Sequence, residues 1–148
     1  MALILVVTAV VLLSLITFWI RSRRSRRELE EYTITPEALH SLLEANPDVL
    51  IFDVRQPLDL LADSEIIPGA RRLDPNDVIA NPSLIPQEKD SIVYCTCPSD
   101  KTSLSILNRV IAAKFFRVKL LRGGLGAWKS QGYAVEPYTK AFHLDPRP

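Results

Sequence analysis

The sequence predicts an α/β fold, a parallel sheet with helices on both faces, preceded by one transmembrane helix. Three observations predict it: a charge-free apolar run at the N-terminus, an alternation of strand-like and helix-like segments after it, and apolar runs typical of strands buried on both faces. With 148 residues, of which 47% are hydrophobic and 24% charged, the chain has room for one globular domain and an extension.

The N-terminal apolar run covers residues 2–20, ALILVVTAVVLLSLITFWI, and contains no charge. A helix of this length is about 28 Å long, close to the thickness of a bilayer core. Five arginines follow in RSRRSRR, whereas a cleavable signal peptide has its charge before the apolar run and a small-residue cleavage site after it. We therefore expect an uncleaved single-pass membrane anchor, with the rest of the chain in the cytoplasm by the positive-inside rule.

The formal net charge of +1 hides an uneven distribution. Outside the arginine cluster, 13 basic residues are set against 17 acidic ones, so residues 28–148 carry a net charge of about −4. This balance argues against nucleic acid as a partner, because nucleic-acid binding needs a basic face. The arginine cluster is interpreted as a topology signal that contacts membrane lipid.

The first elements of the globular part each have a local signal. A polar linker leads into a short strand near EYTI, and Thr35 followed by Pro36 starts a helix, TPEALHSLLEAN, that ends near Asn46. The run VLIFDV is typical of a buried strand. Residues 55–90 are rich in proline and turn residues, and we expect one short strand there, around residues 70–73.

The remaining elements are a strand SIVYC, a helix TSLSILNRVIAAKFF from Thr102, a strand RVKLL, a turn RGG and a helix LGAWKSQG. The tail YAVEPYTKAFHLDPRP is expected to be loosely ordered. The predicted organisation is therefore an anchor at residues 1–20, a basic and polar linker at 21–30, a globular domain at 31–136 and a C-terminal tail at 137–148.

Both cysteines lie in SIVYCTCPSDKTS, where a buried strand ends in a polar loop that opens a helix. Such a loop directs several backbone N–H groups at one point and holds a sulfur there as thiolate. Cys97 lies in the loop, with Lys101 adding positive charge, whereas Cys95 is assigned to the strand, where a thiol is buried and inert. A zinc site is disfavoured because C-x-C supplies two ligands only, and the sequence places no histidine near the loop for a protease dyad.

Four ordered signatures resemble the single-domain rhodaneses, a sulfurtransferase family: IFDVR, IPGA at residues 67–70, a cysteine loop after IVY, and LLRGGLGAW. The resemblance covers about residues 31–136. In this family the nucleophilic cysteine starts a six-residue loop about thirty residues before the tryptophan that follows the Gly-Gly pair. Cys97 starts CPSDKT and lies thirty-one residues before Trp128, so the resemblance implies that Cys97 is the catalytic sulfur carrier.

The resemblance implies a double displacement, in which the Cys97 thiolate takes the outer sulfur of a small donor, holds it as a persulfide and yields it to cyanide or a thiol. It implies no metal and no organic cofactor. The loop amides are expected to stabilise the charge of the persulfide. The predicted substrate-binding residues are Pro98, Ser99, Asp100, Lys101, Thr102, Ser103 and Arg122.

The loop departs from the family pattern. Pro98 has no N–H to donate, Asp100 places a carboxylate where many members have glycine, and Ile66 replaces a histidine that commonly precedes IPGA. Three alternatives to sulfur transfer therefore stay open: a catalytically silent module that binds a protein partner at the membrane, a dithiol redox pair, and a phosphatase. A phosphatase on the related fold requires a seven-residue loop closed by an arginine, and Ser103 occupies that position.

Other residues in the quoted signatures have structural interpretations. Asp53 and Arg55 are expected to form a hydrogen-bonded pair near the site, and Gly123 and Gly124 to permit a tight turn. Arg122 either assists an anionic substrate or is a solvated surface residue. His40 is expected on the surface of the first helix.

Overall fold

A computed structural model describes residues 1, 10–20, 30–96, 101–115 and 117–140, and the chain divides into two compact units, Met1–Tyr32 and Thr33–Pro148. In the first unit, residues 10–20 are helical. Among the described residues, no helix combines the length and the apolar character needed to cross a membrane. Residues 2–9 of the predicted anchor lie outside the described residues.

The second unit is built on a five-stranded parallel sheet. Leu50 lies opposite Ser91 and Asp53 opposite Tyr94, so the two central strands end at the same level. The carboxyl ends of parallel strands meet at one edge of a sheet, which is where ligands bind in open α/β folds. In spatial order the strands are β1 (Thr33–Ile34), β6 (Val118–Leu121), β5 (Ser91–Tyr94), β2 (Leu50–Asp53) and β4 (Arg71–Arg72).

Helices connect these strands. They are α1 (Pro36–Ala45), α2 (Pro57–Ala62), α3 (Pro75–Ala80), α4 (Lys101–Ala112) and α5 (Gly124–Ser130), with a 3-10 helix at Pro82–Leu84. The hydroxyl of Thr35 caps α1 by accepting a hydrogen bond from the Ala38 N–H at 3.2 Å, and Pro36 occupies the first turn. The Asn46 N–H donates to the Leu42 carbonyl where the helix ends, so the predicted helix is confirmed.

Helices cover both faces of the sheet, as predicted. Successive strand residues point to opposite faces. Tyr94 of β5 belongs to a buried cluster with Leu39 of α1 and Trp128 of α5. Its neighbour Val93, which points to the other face, lines a small void with Ile106 of α4.

The segment between β2 and β5 has more regular structure than the sequence predicts. The strand around residues 70–73 is confirmed as β4, but α2, α3, the 3-10 helix and β3 (Glu65–Ile66) were not predicted. None of them exceeds six residues, so hydrophobic periodicity has too few repeats to reveal them.

The expectation of a loosely ordered tail is wrong up to Tyr138. A strand β7 (Glu136–Pro137) pairs with β3 in antiparallel fashion, with Ile66 opposite Glu136. The Tyr138 N–H then donates to the Ser64 carbonyl at 2.7 Å. Residues 141–148 lie outside the described residues.

Two boundaries around the cysteine segment also differ from the predicted ones. Strand β5 ends at Tyr94, so Cys95 follows the strand rather than belonging to it. Helix α4 begins at Lys101 and ends at Ala112, not at residues 102 and 116. The helix stops because Lys114 adopts a left-handed conformation (φ 62°) and the Phe115 N–H returns to the Val110 carbonyl at 2.9 Å.

Candidate functional site

The structure describes the supports of the predicted catalytic loop. Cys95 and Thr96 precede the loop, and α4 follows it from Lys101. The loop residues themselves lie outside the described residues; they are Cys97, Pro98, Ser99 and Asp100. The next predicted substrate-binding residues form the first turn of the α4 backbone; they are Lys101, Thr102 and Ser103.

Cys95 lies directly after β5 and is 2% exposed. Its burial agrees with the sequence-based expectation, although it lies one residue beyond the strand. A thiol in these surroundings packs as a small hydrophobic side chain. The Cys95 carbonyl accepts a hydrogen bond from the Leu125 N–H at 3.0 Å, which joins the end of β5 to the first turn of α5.

The Gly123–Gly124 turn packs against the backbone that precedes the loop. The two glycines have φ values of 77° and 56°, which confirms the predicted tight turn. A Cβ on Gly124 would overlap the carbonyl group of Cys95 and press on that of Thr96. Glycine at position 124 therefore satisfies both the backbone conformation and the close approach, and the turn forms a wall beside the start of the loop.

Replacing Gly124 by alanine is expected to destabilise the fold and to reduce any activity of the loop. A non-glycine residue in the left-handed region costs about 1 to 2 kcal/mol, and the overlap with the Cys95 carbonyl adds to that cost. Urea denaturation measures the loss. Gly126→Ala is the matched control, because a Cβ there meets nothing within 4 Å and alanine favours a helix. Equal stability of the two variants would contradict this account of the turn.

A buried polar pair lies where β2 ends. Arg55 is 1% exposed and Asp53 is fully buried. The Arg55 Nε donates to both carboxylate oxygens of Asp53, at 3.0 and 2.9 Å, and Nη2 donates to Oδ2 at 2.6 Å. The other guanidinium donors reach the main-chain carbonyls of Asp63 and Glu65, each at 2.8 Å. The predicted hydrogen-bonded pair is confirmed, and it also holds the chain that leads into β3.

Tyr94 extends this network to the end of β5. Its hydroxyl donates to Asp53 Oδ2 at 3.1 Å and accepts from the Ile67 N–H at 3.3 Å. Burial, and then the Asp53 charge, raises the pKa of the Tyr94 phenol, so the hydroxyl stays protonated. Sequence reasoning missed Tyr94. The available signal was that VLIFDV and SIVYC place Asp53 and Tyr94 at the ends of two buried strands.

Arg122 follows β6 at the start of the glycine turn. Its Nη2 donates to the Thr33 hydroxyl at 3.2 Å, and its N–H donates to the Ile34 carbonyl at 2.8 Å. The described contacts of Arg122 are therefore with β1, on the side of β6 away from β5. Its role in substrate binding stays a prediction.

His40 lies on α1 with 39% of its side chain accessible, so it is a surface residue as expected, although a partly covered one. Its ring stacks on Tyr133 with centroids 4.3 Å apart and lies 6.0 Å from the ring of Trp128. The partial cover comes from Trp128 and Tyr133, which lie eighty-eight and ninety-three residues later in the chain and pack onto α1.

Comparisons with known proteins agree with this geometry. The family model described as "Rhodanese-like domain" matches residues 35–131, more than half of the chain, and the chain belongs to this family. A protein from Allochromatium vinosum named "Sulfurtransferase" is 30% identical over 102 residues, which cover 69% of this chain and 92% of that protein. The resemblance seen in the sequence is therefore confirmed at the level of the family.

Solved structures support the same fold. The solution structure of a rhodanese-like domain from Anabaena sp. is 27% identical, has a TM-score of 0.60 and covers 79% of this chain and 90% of that chain. The crystal structure of a full-length protein from Lactobacillus plantarum has a TM-score of 0.67 and covers 79% of this chain and 97% of that chain. At 19% identity, the second likeness concerns the fold alone.

Proposed function

We propose that the protein is a sulfurtransferase that carries sulfur as a persulfide on Cys97 and is held at the membrane by its N-terminal segment. The observation that carries the sulfur-transfer proposal is the membership of the rhodanese-like family together with the 30% identical sulfurtransferase. The supports of the loop fit this chemistry, because Cys95 is buried and α4 begins four residues after Cys97. Cys97 is therefore the better nucleophile of the two cysteines.

The proposed reaction has two displacements. In the first, the Cys97 thiolate attacks the outer sulfur of a donor such as thiosulfate; a Cys–S bond to that sulfur forms, and the broken donor bond leaves its electron pair on sulfite. In the second, cyanide or a thiolate attacks the outer persulfide sulfur, and the Cys97 thiolate is released. The amides at the start of α4 favour negative charge in both steps. The residues need no metal or organic cofactor for these displacements.

Mass spectrometry of the full-length protein tests the proposal. After incubation with thiosulfate, mercaptopyruvate or a low-molecular-weight persulfide, the peptide that carries Cys97 is expected to gain one sulfur, about 32 Da, because the thiolate is a strong nucleophile. Cyanide should remove the added mass. If none of the three donors modifies Cys97 in the folded protein, sulfur transfer is overturned in favour of a catalytically silent module that binds a protein partner.

The membrane part of the proposal rests on residues 2–20 and on the described helix within them. The large apolar side chains in residues 10–20 are all at least half exposed. The hydroxyls of Ser14 and Thr17 donate to the carbonyls of Val11 and Ser14, at 2.8 and 2.9 Å. Polar groups in a bilayer must be satisfied within the segment, and these two are. Membrane lipid is accordingly the proposed partner of this segment.

A reporter fused after Pro148 tests the proposed topology. Because five arginines follow the apolar run and none precede it, the globular part is expected to stay in the cytoplasm. An enzyme that is active only outside the cytoplasm should therefore be silent in this fusion, and one that is active only inside should work. The reverse pattern, or recovery of the full-length protein in the soluble fraction, would contradict the proposed anchor.

A further inference from the structure

A cavity of about 520 Å³ opens between α1, α5 and β4. The lining is mostly apolar and includes Val49, Ile51, Ile67, Pro68 and Trp128. Cavities of this size, with apolar walls and a few polar side chains, are typical of small-molecule sites. The described residues of the proposed catalytic site do not supply this lining.

The cavity and the loop supports lie toward opposite ends of the sheet. Leu50 and Ile51, in the first half of β2, line the cavity. Cys95 follows the carboxyl end of β5, where Tyr94 lies opposite Asp53. Because the strands are parallel, β2 and β5 end at the same edge of the sheet. Cys95 lies at that edge, whereas the cavity is lined by the opposite, amino-terminal half of β2. The cavity is therefore distinct from the described residues that flank the predicted catalytic loop.

Three polar side chains at the cavity define its charge. His40 and Glu44 lie one turn apart on α1, with His40 Nδ1 3.7 Å from Glu44 Oε2. Arg71 lies on the edge strand β4 and is exposed. Within the described part of the chain, the Arg71 guanidinium makes no ion pair, and Arg71 belongs to the cavity lining.

We propose that this cavity binds a small aromatic carboxylate, with its ring against the apolar wall that includes Val49, Ile51 and Pro68 and with its carboxylate on Arg71. A guanidinium pairs with a carboxylate through two parallel hydrogen bonds, and an aromatic ring suits an apolar wall that contains an indole. The Trp128 ring is held in place. Its N–H donates to the Ala134 carbonyl at 2.8 Å, and its ring centroid lies 4.8 Å from that of Tyr133. Glu44 disfavours a second negative charge on the ligand.

Fluorescence titration with 2-naphthoate tests the site. The full-length protein has two tryptophans, so Trp19→Phe leaves Trp128 as the only tryptophan, which excitation at about 295 nm selects over the tyrosines. We expect saturable quenching of Trp128 by 2-naphthoate, with a dissociation constant below about 1 mM, and a rise in the urea midpoint on binding. Arg71→Met should weaken binding about tenfold or more, whereas Arg71→Lys should keep part of the affinity.

Two controls separate recognition from adsorption. The neutral 2-naphthamide should bind to the protein with Arg71 about tenfold more weakly than 2-naphthoate does. The Arg71→Met variant should bind the two probes with equal affinity. Lys119→Met removes an exposed positive charge on β6, outside the cavity, and should leave the titration unchanged. Quenching that does not saturate, or that is the same for both probes and unaffected by Arg71→Met in a folded protein, would overturn the proposal.

Discussion

Replacing Arg55 by methionine is expected to lower the free energy of unfolding by about 3 to 5 kcal/mol. Methionine keeps much of the volume of arginine but leaves the Asp53 carboxylate in the core without the positive charge of the guanidinium. The main-chain carbonyls of Asp63 and Glu65 lose their donors at the same time. Urea denaturation of the full-length protein measures the loss, and the cost arises mainly from a buried carboxylate that has lost its counter-charge.

Two further variants identify the source of this loss. Asp53→Asn combined with Arg55→Met removes both charges, so the double variant should be more stable than Arg55→Met alone. Arg117→Met breaks an exposed ion pair, in which Arg117 Nε lies 2.9 Å from Asp90 Oδ1. This variant should lower the free energy of unfolding much less. If Arg55→Met and Arg117→Met lowered stability equally, the buried pair would not have the structural role assigned to it.

The sequence predicts the central sheet because its strands are buried on both faces and therefore read as continuous apolar runs. VLIFDV and SIVYC contain β2 and β5, and each prediction exceeds the observed strand by a residue or two. Helix α1 was predicted for a local reason, since Thr35 and Pro36 start it and no distant contact is needed. Local signals of this kind are what a single sequence carries best.

The parts that were missed depend on contacts between distant residues. Tyr94 meets Asp53 across a separation of 41 residues and Ile67 across 27. Strand β7 exists because Glu136–Pro137 pairs with β3, and neither segment has a strand-like pattern of its own. The contacts of His40 with Trp128 and Tyr133, which cover part of its ring, arise for the same reason. Sequence patterns do not specify such pairings, because they are selected by the tertiary fold.

In the candidate site, too, some features were predictable from local sequence and others depend on contacts between distant residues. The glycine turn was predictable because its residue types are tied to one backbone conformation, and the structure adds the contact with Cys95 that makes glycine necessary at position 124. The choice of Cys97 over Cys95 rests on the predicted loop position of Cys97 and on its spacing from Trp128. The burial of Cys95 supports that choice, and a comparison of the two cysteines by mutation tests it directly.

Cys97→Ser is expected to abolish sulfur transfer, measured as thiocyanate formed from a sulfur donor and cyanide. A neutral hydroxyl is a far weaker nucleophile than a thiolate and does not hold a persulfide. Cys95→Ser should keep most of the activity. Its cost should fall on stability instead, about 1 to 3 kcal/mol, because a hydroxyl replaces a thiol that is 2% exposed.

A dithiol redox mechanism predicts a different result for the same pair of variants. Both substitutions would then eliminate turnover, and mild oxidation of the wild-type protein would join Cys95 to Cys97. Circular dichroism checks that each variant is folded before its activity is compared. Two folded and equally inactive variants would exclude Cys97 as a lone sulfur carrier, because a buried residue that only packs the core is not needed for either displacement step.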